Sequence, residues 1–182
     1  DVQPDWGWIA DINYRHSPSG ELDIGPLASF RLQNYWPGFM KNHGVTTCLG
    51  GQQRGNGPYF GDILRMPRGW PTYNSNRMIS SCIEYKMPLL YPDLEVGKLI
   101  YLRRIKTALF FDHAWLEENL TNNGKTNGTI QRRLTSAGVD ITFDSNLLRF
   151  YTPVNIGFRT SYLPEISDIR LEFIFSVDFR SF

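Results

Sequence analysis

The feature that most constrains this chain is a period of two that recurs over long stretches. At 169–179, Leu171, Phe173, Phe175, Val177 and Phe179 share one phase, and Arg170, Glu172, Ile174, Ser176 and Asp178 share the other. Such alternation puts the two sets on opposite sides of a sheet. At 147–162, Leu148, Phe150, Thr152, Val154, Ile156 and Phe158 oppose Arg149, Tyr151, Pro153, Asn155, Gly157 and Arg159. At 131–144, Thr135, Ala137, Val139, Ile141 and Phe143 oppose Ser136, Gly138, Asp140 and Thr142. Near the start, Trp6, Trp8, Ala10, Ile12 and Tyr14 oppose Asp11, Asn13 and Arg15. No stretch has a convincing helical period. Turn signals fall at 17–20, 37–38, 55–58, 92–93, 122–128, 144–146 and 164–168. They delimit eight strand candidates: 6–15, 21–35, 42–54, 76–90, 99–116, 131–144, 147–162 and 169–179. The expected fold class is all-β, antiparallel and up-and-down.

Alternation alone does not name the environment, because a soluble sandwich or lipocalin also alternates. Three features favour a transmembrane β-barrel. Many candidates exceed the ~5–6 residues of ordinary strands and match the ~9–11 needed to cross a bilayer. Aromatics cluster near strand ends (Trp6, Trp8, Tyr35, Trp36, Tyr91, Tyr101, Trp115 and Tyr162), as in the girdles of membrane barrels. The polar phase carries both signs: Asp23, Arg31, Glu84, Lys86, Arg104, Lys106, Asp112, Arg149, Arg159, Arg170 and Glu172. Such charges pair and hydrate in a wet lumen, whereas a Lys or Arg on the lipid face costs roughly 2–4 kcal/mol near the midplane. Mean hydropathy is only −0.33 although aromatics make up 14% of residues. Averaging over alternating strands hides their apolar face. The net charge of +1 gives no basic field for nucleic acid.

Some details resist this reading. Arg103 is in phase with Tyr101, Ile105, Leu109 and Phe111, so it either snorkels at an interface or marks a slip in register. Pro26 and Pro153 fall inside strand candidates, where each removes a ladder donor; a bulge is the available remedy. Cys48 and Cys82 form no metal or disulfide framework. They read first as small unpaired strand residues, with a bridge as the alternative because their strands are expected to be neighbours. Asp1 is not an initiator, and no signal pattern follows it, so residues 1–182 are expected to be a segment of a longer chain.

A long interruption at 55–75 contains Leu64-Arg65-Met66-Pro67-Arg68-Gly69-Trp70, and the fifth strand contains Phe110-Phe111-Asp112-His113-Ala114. Asp112 lies on the polar phase and can face inward. A buried Arg68 needs a partner, a charge-assisted bond to Asp112 would pin the loop, and Gly69 permits backbone conformations closed to other residues. The plain alternative is an exposed hairpin tip. These segments resemble, in order and spacing, the Arg-Gly-aromatic and Phe-x-Asp-x-Gly motifs of the bacterial surface-antigen superfamily, which includes the outer-membrane protein assembly factors. Ser81–Leu89 resembles that family's Glu-Tyr-x-x-Pro-Leu strand, and Ser136-Ala137-Gly138 its Ser-x-Gly strand. The resemblance is close over 76–182 and rests on strand pattern alone over 6–54. Trp70 replaces Phe or Tyr, Ala114 replaces Gly, and Phe182 is out of phase with Phe179. Leu90-Tyr91-Pro92-Asp93 and Tyr101-Leu102-Arg103-Arg104 resemble a divergent branch whose members can carry a TolB-like propeller.

The resemblance implies the C-terminal half of a sixteen-strand barrel in the bacterial outer membrane, serving protein insertion or translocation. It also implies a loop-pinning lumen motif of Arg68, Gly69, Trp70, Phe110 and Asp112, and a terminal strand signal of Phe173, Phe175, Val177, Phe179 and Phe182. The implied partners are the lipid bilayer and unfolded outer-membrane protein clients or envelope assembly factors. A passive porin or anchoring barrel, and a soluble lipocalin-like barrel, are the competing readings.

No catalytic residue, metal or cofactor is expected. His16, His43 and His113 lack ligand spacing, and His113 points away from Asp112 on a strand. Ser80 and Ser81 lack a nucleophile elbow. Glu117 and Glu118 read as solvated loop charges. Gly50-Gly51 suggests a bulge or close packing. The glycosylation-like triplets at 119–121 and 127–129 are frequent chance matches.

Overall fold

The computed structural model describes residues 5–17, 25–55, 61–73, 75–96, 100–122, 125–147 and 153–177. These residues form nine strands: β1 (Gly7–Arg15), β2 (Leu27–Pro37), β3 (Gly44–Arg54), β4 (Arg77–Leu90), β5 (Leu94–Val96), β6 (Ile100–Asn122), β7 (Lys125–Leu147), β8 (Pro153–Leu163) and β9 (Asp168–Val177). All pair antiparallel in one sheet of order β1-β2-β3-β4-β6-β7-β8-β9, with the short β5 folded against β6. Apart from β5, each strand pairs with its neighbour in sequence, so the sheet is up-and-down. Among the described residues it does not close: β1 pairs only with β2, and β9 only with β8.

Within the described strands the expected phases are those of the sheet, except beyond the slip in β6, where Tyr101 pairs with Asn146 and leaves the phase of Ile105, Leu109 and Phe111. In one row, Arg159 pairs with Asp140 on β7 and with Glu172 on β9. In another, Asp112 pairs with Cys82 and Ser136. These residues line the face against which segment 61–73 lies, here called the inner face. The outer face exposes Ile12, Phe30, Leu49, Ile79, Ile83, Leu109, Phe111, Ile141, Phe158, Leu171, Phe173 and Phe175. The fold is thus inverted with respect to a water-soluble sheet. The carboxylates Glu84, Asp112, Asp140 and Asp144 are largely covered on the inner face while many large apolar residues are bare on the outer one, and bare apolar surface of this extent marks a binding or membrane surface.

Several boundaries differ from the sequence reading. The expected turn at 144–146 is strand, because Arg104 and Lys106 hold Asp144 at 2.7 and 2.6 Å and Ser145 donates to the Val154 carbonyl. β6 runs on to Asn122 and β7 starts at Lys125. Glu117 and Glu118 are therefore strand residues rather than loop charges, since an established ladder carries turn-prone residues along. Pro26 precedes β2, and Pro153 is the first residue of β8, a position that needs no ladder donor. The pairing of β6 with β7 slips between Leu102 and Arg104. Arg103 sits in this bulge and is exposed, Arg104 keeps the inner-face phase opposite Asp144, and the slip shifts Leu102 and Tyr101 by one position. Cys48 and Cys82 face each other across β3 and β4 and are disulfide-bonded, with Cα atoms 4.9 Å apart. The reading as unpaired residues is corrected accordingly. β3 shows no register slip, so Gly50-Gly51 marks close packing: a Cβ on Gly50 would lie 2.6 Å from Leu64 Cδ2. The segment 148–152, with Leu148, Arg149, Phe150, Tyr151 and Thr152, lies outside the described residues, as does Asp23.

Candidate functional site

The segment 61–73 between β3 and β4 does not stand away from the sheet. It folds back over the inner face and is held there at three points. At its root, Gln52 on β3 accepts from the backbone N–H groups of Ile63 (2.9 Å) and Leu64 (3.3 Å), while its amide and the Arg54 guanidinium both donate to Asp62. Leu64 then packs with Met78, Ala114, Leu116 and Leu134, and Met66, Trp70 and Tyr73 close over this cluster. The Trp70 indole donates to the Thr135 carbonyl at 2.9 Å.

The third point is Arg68. Its Nε and Nη2 donate to the two Asp112 oxygens at 3.0 and 3.5 Å, and its backbone N–H adds a 3.2 Å bond to the same carboxylate. Its Nη1 reaches Glu84 at 2.9 Å and Asp140 at 3.3 Å. One guanidinium thus ties together carboxylates from β4, β6 and β7. Two further cations share these acids: Lys86 pairs with Glu84 at 2.9 Å and Arg159 with Asp140 at 2.8 Å. The guanidinium carbon lies 4.0 Å from the centre of the Phe110 ring, close enough for a cation–π contact.

Small residues make the berth. Phe110 pairs with Glu84 on one side and Gly138 on the other. A Cβ on Gly138 would lie 2.6 Å from the Phe110 ring, so the glycine gives that ring its room. Gly69 adopts φ = 82°, a region that β-carbons disfavour. A Cβ there would come within 2.9 Å of Ser161 Cβ and 3.3 Å of Leu163. Ser136 and Ser161 are buried on the same face.

The structure therefore brings together Arg68, Gly69, Phe110 and Asp112, and it places Trp70 at the edge of the apolar cluster. Phe173, Phe175 and Val177 lie on the outer face of β9, on the opposite side of the sheet from this group. Phe179 and Phe182 lie outside the described residues. Sequence reasoning missed Glu84, Asp140 and Arg159 as members of the cluster. Their phase was the available signal, since all three share the polar phase of adjoining strands. The anchoring of Asp62 by Gln52 and Arg54 had no such signal.

Chemically, this is a set of fixed ion pairs beside a cleft of about 590 Å³ whose lining includes Arg31, Gln33, Glu84 and Arg159. Among the described residues no group of three or more His, Cys, Asp or Glu is placed to hold a metal ion. His113 faces away from Asp112 and bonds the Thr135 hydroxyl at 3.1 Å. The geometry supports holding a segment in place. Compared with protein-family models, with curated proteins and with solved structures, the chain matches none.

Proposed function

We propose that this chain is a lipid-spanning portion of a bacterial outer-membrane β-barrel whose lumen is held by the Arg68 loop, and that the barrel serves protein insertion or translocation. One observation carries the membrane reading. Below the row of Ile79, Trp115 and Arg133, the outer-face positions of the eight long strands carry no Asp, Glu, Lys or Arg among the described residues, save Arg103 at its bulge. From Arg103 to Trp115, β6 covers about 40 Å at ~3.4 Å per residue. At the ~45° tilt of membrane strands this is about 29 Å along the bilayer normal, close to the ~30 Å hydrocarbon core. Charged residues then bracket the apolar belt instead of interrupting it.

The open sheet supports a larger barrel. In lipid, the free edges of β1 and β9 each require a partner strand, as expected for half of a sixteen-strand barrel. The function in protein insertion rests on the motif resemblance and on the loop held in the lumen. In that mechanism the Arg68 cluster fixes the loop, and a weak seam offers a strand edge to a client. A lipocalin-like barrel would instead need a closed sheet with an apolar interior, whereas the inner face here carries the Arg68 ion pairs beside its apolar cluster.

Leu109→Arg separates lipid from water as the surroundings of the outer face. Leu109 is exposed at mid-belt, so in water the change stays within about 0.5 kcal/mol. Facing lipid near the midplane it costs roughly 2–4 kcal/mol. Reversible unfolding from vesicles, followed by tryptophan fluorescence, measures the difference. A neutral substitution there contradicts the membrane reading.

A further inference from the structure

At the loop end of the sheet, just above the apolar belt, lies an outer-face cluster that the pinned loop does not use. Trp115 on β6 pairs with Ile79 on one side and Arg133 on the other. Arg77, two residues before Ile79, shares this face, and its guanidinium carbon lies 6.0 Å from the centre of the Trp115 ring. Both arginines are exposed. On the inner face, Arg31, Arg68, Arg104, Arg159 and Arg170 each sit in an ion pair. Among the described residues Arg77 and Arg133 have no such pair. Glu117, opposite Arg77 in the ladder, forms no ion pair with it, so the cluster holds two cations against one carboxylate.

We propose that Arg77 and Arg133, flanking Trp115, bind the phosphate of an anionic lipid headgroup. The inference rests on the membrane reading above and adds a ligand to it. An indole ring is at home at the boundary between hydrocarbon and headgroups. A guanidinium offers a planar fork of donors matched to phosphate oxygens. The belt places both side chains at headgroup depth, where a phosphate is the available counter-charge. Arg103, at the opposite end of the belt, forms no ion pair among the described residues and serves as the control.

The test folds the protein into vesicles of phosphatidylcholine alone and of phosphatidylcholine with phosphatidylglycerol, scores folding by heat-modifiable mobility, and then counts retained lipid by native mass spectrometry. Wild-type protein is expected to retain phosphatidylglycerol selectively. Arg77→Gln/Arg133→Gln weakens that retention about 25-fold, at roughly fivefold per cation, and Arg103→Gln leaves it unchanged. Equal retention by the double variant overturns the proposal. Displacement of the lipid by millimolar inorganic phosphate assigns the site to free phosphate and overturns it as well. Folding in both vesicles without selective retention defeats this proposal alone. Failure to fold in either vesicle defeats the membrane reading, and this proposal with it.

Discussion

Removing the Arg68 guanidinium should release the loop without dismantling the sheet. Glu84 would keep Lys86 and Asp140 would keep Arg159, but Asp112, whose side chain is 8% exposed, would lose its cation. Breaking a buried pair from one side costs about 3–5 kcal/mol. The 18% exposure of Arg68 shows that water reaches the site, so the low end, about 3 kcal/mol, is the better figure. Because the Arg68 contacts join the loop to the sheet, this cost falls on the local opening of 61–73, whose equilibrium rises about 150-fold at ~1.4 kcal/mol per factor of ten. Arg65 lies exposed within that segment and reports its opening through trypsin. When reclosing outpaces cleavage, the rate follows the open population. Arg68→Ala is expected to speed cleavage at Arg65 by about two orders of magnitude, with the protein still heat-modifiable. Asp112→Asn retains a neutral acceptor for the Arg68 backbone N–H and should give a smaller rise in the same direction. Cleavage within threefold of wild type in both variants would refute the reasoning.

Gly69→Ala strains a position at φ = 82° and drives a Cβ towards Ser161. Trypsin cleavage at Arg65 should rise about tenfold, from the ~1–2 kcal/mol cost of the left-handed region, and Ser161→Gly should restore only the part due to contact. Maleimide should label neither Cys48 nor Cys82 until a reductant is added; labelling of the untreated protein would contradict the cross-strand bond. Replacing both cysteines by alanine should cost at most about 4 kcal/mol, from the chain entropy of the 34-residue separation, as read by denaturant unfolding.

The sheet was legible because its signal is short-range. A period of two survives in any one strand, so the phases of Leu171 to Val177 and of Trp8 to Tyr14 can be read without knowing the neighbours. Where the outcome depends on the neighbour, the sequence misleads. Asp144-Ser145-Asn146 has turn composition, and only Arg104 and Lys106 across the ladder make it strand. The ends of β6 and β7 likewise run past their polar, glycine-bearing sequence because each strand supplies the other's hydrogen bonds. Arg103 announced an irregularity as a charge in the apolar phase, but the choice between snorkelling and a slip needed the register. β5 and the anchoring of Asp62 left no pattern at all. In the site, Arg68 and Asp112 were legible as complementary charges. Glu84 and Asp140 became part of it because strand order sets them beside the same guanidinium, and strand order is long-range information. The cysteines show the same limit, since directly opposed positions follow from register and not from spacing.

The central claim is that the bare apolar face belongs in lipid. The most direct measurement is the folding of the protein in plain buffer against folding in phospholipid vesicles, read by circular dichroism and heat-modifiable gel mobility. The account expects a β-rich, heat-modifiable species with vesicles and aggregation without them, because exposed apolar strands and unpaired edges associate in water. A monodisperse, cooperatively folded β protein in buffer alone would contradict it.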